Sequence, residues 1–138
     1  MSTHQIEKTL ILAAPPADVW TFLTDPEKLA IWFHRPEAAL DQPGPFAMGG
    51  SDGDPLCWGE VQEADAPNRL RYSFTARPMD GLMTDVTWTL TAIEAGTRLH
   101  LVHDGIPQGA ASFGLLTAFD SGWDDHLVRF RKAMSSDA

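Results

Sequence analysis

Two hydrophobic periods divide the chain. Leu70, Tyr72 and Phe74 alternate with Arg69, Arg71 and Ser73, and Val86, Trp88 and Leu90 alternate with Asp85, Thr87, Thr89 and Thr91. A period of two sends successive side chains to opposite faces, so both segments read as strands with one apolar and one wet face. Leu99 and Leu101 against Arg98 and His100 continue the pattern. Residues 5–13 read as a further strand, with Ile6, Leu10 and Leu12 on one face and Lys8 as the exception. Toward the C-terminus the spacing becomes helical: Phe119, Trp123, Leu127, Phe130 and Met134 make one stripe. Asp120, Asp124 and Asp125 are expected toward the start of that helix and Arg129, Arg131 and Lys132 toward its end, an order that suits the helix dipole.

Two short helices are expected after the first strand. Pro15-Pro16 opens one, because proline fits the first turn, where no backbone donor is needed; Val19, Phe22 and Leu23 face inward. Asp25-Pro26-Glu27 opens the next, with Asp25 as cap, Leu29 and Trp32 inward, and an end before Pro36. From Ala38 to His103, turn clusters such as Asp41-Gln42-Pro43-Gly44, Asp65-Ala66-Pro67-Asn68 and Glu94-Ala95-Gly96 separate five or six short runs. The expected order is strand, helix, helix, about six strands, long helix. One register stays open: either Trp58, or Cys57, Gly59 and Val61, face inward. A one-sided sheet and an amphipathic helix must cover each other, and short helices propping one end leave room for a cavity.

Composition narrows the function classes. The 138 residues suit a single domain (1–138) of ordinary globular make-up. Nineteen acidic residues against ten basic ones give a net charge of −9, which repels phosphate backbones and anionic lipid, so neither nucleic acid nor a membrane is an expected partner. No signal peptide or membrane span is read, and the cytoplasm is the expected address. Cys57 is the single cysteine, which excludes an intramolecular disulfide and a thiolate metal site; no metal and no cofactor are expected. The five Trp and seven Phe fill cores but also line pockets for ring-shaped ligands.

Catalytic signatures are weak. Ser112 and Ser121 lack a glycine-framed elbow, and Gly49-Gly50-Ser51-Asp52-Gly53 lacks the Lys-Ser/Thr of a phosphate loop. Asp124-Asp125-His126 cannot converge on one ion, because adjacent helical positions point apart. Asp18, Glu27, Glu60, Glu63 and Asp85 read as surface carboxylates. His4, His34 and His100 are expected in solvent, while His103 continues the inward register and His126 flanks the helical stripe. Gly122 costs about 1 kcal/mol in a helix, so a close backbone or open space beside Trp123 is expected there.

Five motifs in order carry a resemblance. Ala14-Pro15-Pro16-Ala17-Asp18-Val19-Trp20 with Leu23-Thr24-Asp25-Pro26-Glu27-Lys28-Leu29 and Trp32 comes first. Gly59-Glu60-Val61-Gln62-Glu63, Pro67-Asn68-Arg69-Leu70, Gly96 to His103 and Gly122-Trp123 follow. Together they resemble the START-like (SRPBCC, helix-grip) superfamily over essentially the whole chain. Within it they are most similar to domains named after the C-terminal part of the ATPase activator of the ninety-kilodalton heat-shock protein. The resemblance implies an α+β helix-grip fold: a curved antiparallel sheet of about six or seven strands wrapped around a long C-terminal helix, with two short helices after the first strand. Such proteins bind hydrophobic small molecules, act as polyketide cyclases or aromatases, or carry lipids. Chaperone-activating relatives have an additional N-terminal domain for which this chain has no room, so a chaperone partner is not expected.

The leading expectation is therefore a protein, monomeric or homodimeric, that binds a hydrophobic or aromatic small molecule. Trp32, Tyr72, Phe74, Trp88, Phe119, Trp123 and Phe130 face inward by period, and His103, which matches a family histidine, joins them as the candidate ligand-binding set. A cyclase-type enzyme is the alternative, with His103, Tyr72 and His126 as its polar groups; a chaperone-docking module is another. The small, apolar segments Gly105 to Gly114 and Met79 to Met83 are read as loops beside the cavity and as candidate gates.

Overall fold

A computed structural model describes residues 3–36, 38–49, 55–76, 83–107 and 113–136. The elements run β1 (Thr3–Leu12), α1 (Pro16–Thr24), α2 (Pro26–Trp32), β2 (Gly44–Gly49), β3 (Pro55–Asp65), β4 (Arg69–Ala76), β5 (Thr84–Ile93), β6 (Gly96–Pro107) and α3 (Phe113–Ser136). The strands form one antiparallel sheet in the order β1-β6-β5-β4-β3-β2. Strands β2 to β6 are a meander, and β1 returns to pair with β6, so five strands rather than six follow the helices. This is the α+β helix-grip arrangement, a curved sheet closed over a long C-terminal helix.

The local signals hold where chemistry fixes them. Pro16 and Pro26 each open a helix, and the Asp25 carboxylate accepts the Lys28 backbone N–H at 3.2 Å as the cap of α2. Leu70, Tyr72, Phe74, Val86, Trp88, Leu90, Leu99 and Leu101 are all buried on the inner face. The pairing of β2 with β3 settles the open register. Met48 lies opposite Cys57 and Gly44 opposite Val61, so Cys57 and Val61 face inward and Trp58 turns outward, opposite Thr75. Gly59 also faces inward; a Cβ there would stand 1.9 Å from the Ser73 carbonyl oxygen, so no side chain fits. Gly96, at φ +141°, is equally constrained: its Cβ would meet the Leu12 carbonyl oxygen at 2.2 Å.

Three sequence readings need correction, and one alternative is narrowed. First, α3 starts at Phe113, so Asp120, Asp124 and Asp125 stand well inside it, and neither its first nor its last turn carries the charges that a dipole argument needs. Two of those aspartates serve another purpose. Lys8, the exception on the inner face of β1, places its ammonium 2.7 Å from Asp120 and 2.9 Å from Asp124, tying the edge strand to the helix. Second, Gly105 to Pro107 are not loop: they extend β6 opposite the start of β1. The remainder of that apolar segment, residues 108–112, lies outside the described residues, as do 79–82 of the other candidate gate. Third, His34 is half-buried rather than solvated. The side chain of His4 is outside the described residues, and His100 is half-buried with Nε2 2.8 Å from Glu7. Of the two reasons read for Gly122, a close backbone is not found: among the described residues nothing lies within 4 Å of a Cβ built there.

Candidate functional site

The eight residues singled out in the sequence converge. Trp32 from α2, Tyr72 and Phe74 from β4, Trp88 from β5, His103 from β6, and Phe119, Trp123 and Phe130 from α3 form one connected group of rings. Seven are buried and Phe119 is half-buried. Edge-to-face pairs dominate, such as Trp32 on Trp88 at 5.9 Å and Trp88 on Trp123 at 5.6 Å, as ring quadrupoles favour.

The polar atoms of this group have specific partners. Proline 26 has no N–H to offer the Phe22 carbonyl one turn earlier, and the Trp32 Nε1–H takes that place at 2.7 Å. The Trp88 Nε1–H donates to the Tyr72 hydroxyl at 3.0 Å. Burial pushes the Tyr72 phenol above its usual range, although the Trp88 bond opposes the shift. At the centre lies His103. The Trp123 Nε1–H donates to His103 Nδ1 at 2.9 Å, which makes Nδ1 the acceptor and leaves the proton on Nε2. Nε2 lies 2.7 Å from the Thr84 hydroxyl, which in turn donates to the Phe74 carbonyl at 2.7 Å. Only the neutral imidazole satisfies this relay. Burial enforces that state, lowering the His103 pKa to about 4 against a small opposing pull from Asp104.

One flank of the cluster escaped the sequence reading. Phe33, just past α2, is half-buried and stacks nearly parallel on Trp32 (5.2 Å, 21°) and on Trp123 (5.5 Å, 19°). The imidazoles of His34 and His126 border the Phe33 ring at 4.8 and 4.7 Å and stand 5.5 Å from each other. Burial lowers the pKa of both, that of His126 to about 4. His126 Nδ1 lies 3.1 Å from the Trp32 carbonyl and 2.6 Å from an Arg129 nitrogen. The opposite rim holds Phe46, half-buried and edge-on to Tyr72 at 5.2 Å.

Two surface clefts adjoin this core. One, of about 750 Å³, runs along residues 38–47 and reaches inward at Phe46 and Val61. The other, of about 550 Å³, separates β1 from α3 between Leu10, Leu127 and Val128. Neither is lined by any of the eight predicted residues; those fill their own space with rings. The groups expected to carry chemistry are engaged. Both His103 nitrogens and the Tyr72 hydroxyl are bonded within the core, and burial raises the Cys57 thiol to about 12, far from a thiolate. Asp124 and His126 diverge along α3 as their spacing requires, and no group of three metal-ligating side chains occurs among the described residues. Among those residues no helix is long and apolar enough to cross a membrane.

Comparison with known proteins agrees with this geometry. No curated protein matches the chain in sequence. The solved structure of MLL2253 from Mesorhizobium loti superposes with a TM-score of 0.85 at 19% identity, over 98% of this chain and 99% of that one. CalU16 from Micromonospora echinospora gives 0.73 at 26% identity, over 96% and 76%. DynU16, from the dynemicin biosynthetic locus, gives 0.78 at 20% identity, over 96% of this chain and 48% of its own. A family model described as Activator of Hsp90 ATPase homolog 1-like protein matches residues 13–135. With its START-like (SRPBCC) fold, the chain belongs to the family of Activator of Hsp90 ATPase homolog 1-like proteins.

Proposed function

We propose that the protein binds an apolar, ring-bearing small molecule at the aromatic cluster between the sheet and α3. The observation that carries this reading is the open rim of the cluster. The central rings are buried, yet Phe33, Phe46 and Phe119 around them are half-buried. Half-buried rings at the edge of an aromatic cluster give a ring-bearing ligand apolar area to cover. DynU16, a protein of the dynemicin biosynthetic locus, shares this fold.

The relay at His103 favours binding over catalysis. With both nitrogens spent on Trp123 and Thr84, that imidazole has no free position for a substrate proton. A ligand rather than a chaperone surface is favoured because the outer face of β4 exposes Arg69 and Arg71, not an apolar patch.

The test is a panel of aromatic and polyketide-like compounds followed by thermal shift and tryptophan quenching. Compounds that raise Tm and quench Trp123, with both effects lost in Phe119→Ala, are expected. No response from any compound, with the protein folded throughout, refutes the reading.

A further inference from the structure

The junction of α2 and α3 holds a conflict that the rest of the core avoids. His126 Nδ1 faces a donor, the Arg129 guanidinium at 2.6 Å, and an acceptor, the Trp32 carbonyl at 3.1 Å. One ring nitrogen cannot accept from the first and donate to the second at once. If it accepts, the Trp32 carbonyl loses its imidazole donor; if it donates, the guanidinium faces an N–H. Among the described residues Arg129 bonds no carboxylate, although acidic side chains outnumber basic ones almost two to one.

Beside this conflict is a ring slot. Phe33 lies stacked against two indoles, half-exposed, with the His126 ring edge-on to it. A flat ring of another molecule finds the same two surfaces, Trp32 and Trp123, that Phe33 uses. A carboxylate on that ring would reach the guanidinium beyond His126. Arg129 would then donate to the carboxylate, and the His126 Nδ1–H would be released to donate to the Trp32 carbonyl. One anion resolves both defects.

We propose that the preferred ligand is a planar aromatic carboxylate, its ring replacing Phe33 against Trp32 and Trp123 and its carboxylate paired with Arg129. This rests on the small-molecule reading above and narrows it to a chemical class. Phe33 is then the protein's own occupant of the slot, and it must swing out for the ligand to enter. Its displacement is charged against affinity in the wild type and absent once the ring is removed.

The probes are 2-naphthoate and its neutral counterpart 2-naphthamide, titrated calorimetrically into wild type, Phe33→Ala, Arg129→Gln and the double variant. Wild type is expected to favour the carboxylate by about 10-fold, the scale of one charge-assisted contact. Arg129→Gln, an exposed position whose change leaves the fold intact, should bring the two probes to parity. Phe33→Ala should tighten both by roughly 3- to 10-fold as the competing ring is removed. Equal affinity for the two probes in both wild type and Phe33→Ala overturns the carboxylate proposal while leaving the small-molecule reading in place. So does a preference that survives Arg129→Gln. Failure of both probes to bind either wild type or Phe33→Ala overturns the slot itself, and the compound panel then decides the broader reading alone.

Discussion

At His103 each ring nitrogen has one partner of the right kind, whereas at His126 a single nitrogen is approached by a donor and an acceptor together. The two imidazoles come from different elements, β6 and α3, yet both touch Trp123, at 5.9 and 6.1 Å. Burial holds both neutral. The difference lies in where the polar atoms end. The His103 relay closes on the Phe74 carbonyl inside the sheet, and such a network rigidifies the core it occupies. The His126 side ends on an exposed guanidinium, with Phe33 as a half-buried cover. Identical residue types thus make a structural post in one place and a contested pairing in the other.

The comparison breaks first on truncation of the rings. Trp123→Ala removes a buried indole and leaves His103 Nδ1 without its donor, so a loss of about 3–5 kcal/mol is expected. Leu127→Ala, one turn on and equally buried, is the reference for pure packing at about 2–5 kcal/mol. Phe33→Ala, at the half-buried flank, should lose only about 1–2 kcal/mol, in proportion to the area it covers. Urea unfolding measures all three. A Phe33→Ala loss as large as that of Trp123→Ala would make the flank part of the core and end the distinction.

Acid sharpens it next. The His103 pKa is about 4 in the folded chain against an ordinary 6.5, so between those values the unfolded chain takes up a proton that the native one refuses. Stability from this group is complete above pH ~6.5, falls as the pH drops through that window, and is gone below about 4. At about 1.4 kcal/mol per unit, the loss reaches roughly 3 kcal/mol. Imidazole C–H resonances followed by NMR should show His103 titrating near 4 with or without 2-naphthoate. The His126 resonance should move upward when the carboxylate binds. A shift at both, or at neither, would erase the contrast between the two imidazoles.

Two threonines test polar satisfaction without touching a ring. Thr84→Val leaves the His103 Nε2–H and the Phe74 carbonyl unpaired and should destabilise by about 1–3 kcal/mol. Thr75 is as deeply buried, but its hydroxyl has no partner among the described residues. Thr75→Val should therefore be neutral or stabilise by up to about 1 kcal/mol, the opposite sign for the same chemical change. Equal destabilisation of the two by urea unfolding would show that shape, not the relay, governs this core.

How far the residues alone announced these features depends on range. Strands β4 and β5 and the stripe on α3 were legible because a single buried face writes its period into the local sequence. Six of the eight cluster residues followed from those periods; Trp32 came from the second short helix, and His103 from the register of β6 and the family resemblance. Trp58 was ambiguous because Leu56 and Trp58 on one parity compete with Cys57 and Val61 on the other, and only pairing with β2 decides between them. Phe33 and His34 carried no signal, since Phe33, at φ −134° and ψ −115°, has left the helix and no period applies. The role of Lys8 was invisible for a different reason. Its partners stand on α3, at the far end of the chain, and a local pattern cannot name them.

The smallest effect concerns Gly122. Gly122 sits in α3 next to Trp123, with no positive φ to require glycine and open space where a Cβ would go. A glycine in a helix interior forfeits about 1 kcal/mol relative to alanine through backbone entropy. Gly122→Ala should therefore stabilise the free protein by about 0.5–1 kcal/mol, read as a shift of the urea midpoint at unchanged slope. If a ligand uses the space at Gly122, the added methyl group intrudes on it, and the same variant should bind the best compound of the panel less tightly. The two effects then oppose each other, a firmer helix with a poorer site. Stabilisation with undiminished binding would move the ligand away from Gly122, toward the Phe46 rim and its 750 Å³ cleft. Destabilisation would mean that the space at Gly122 is already filled by protein.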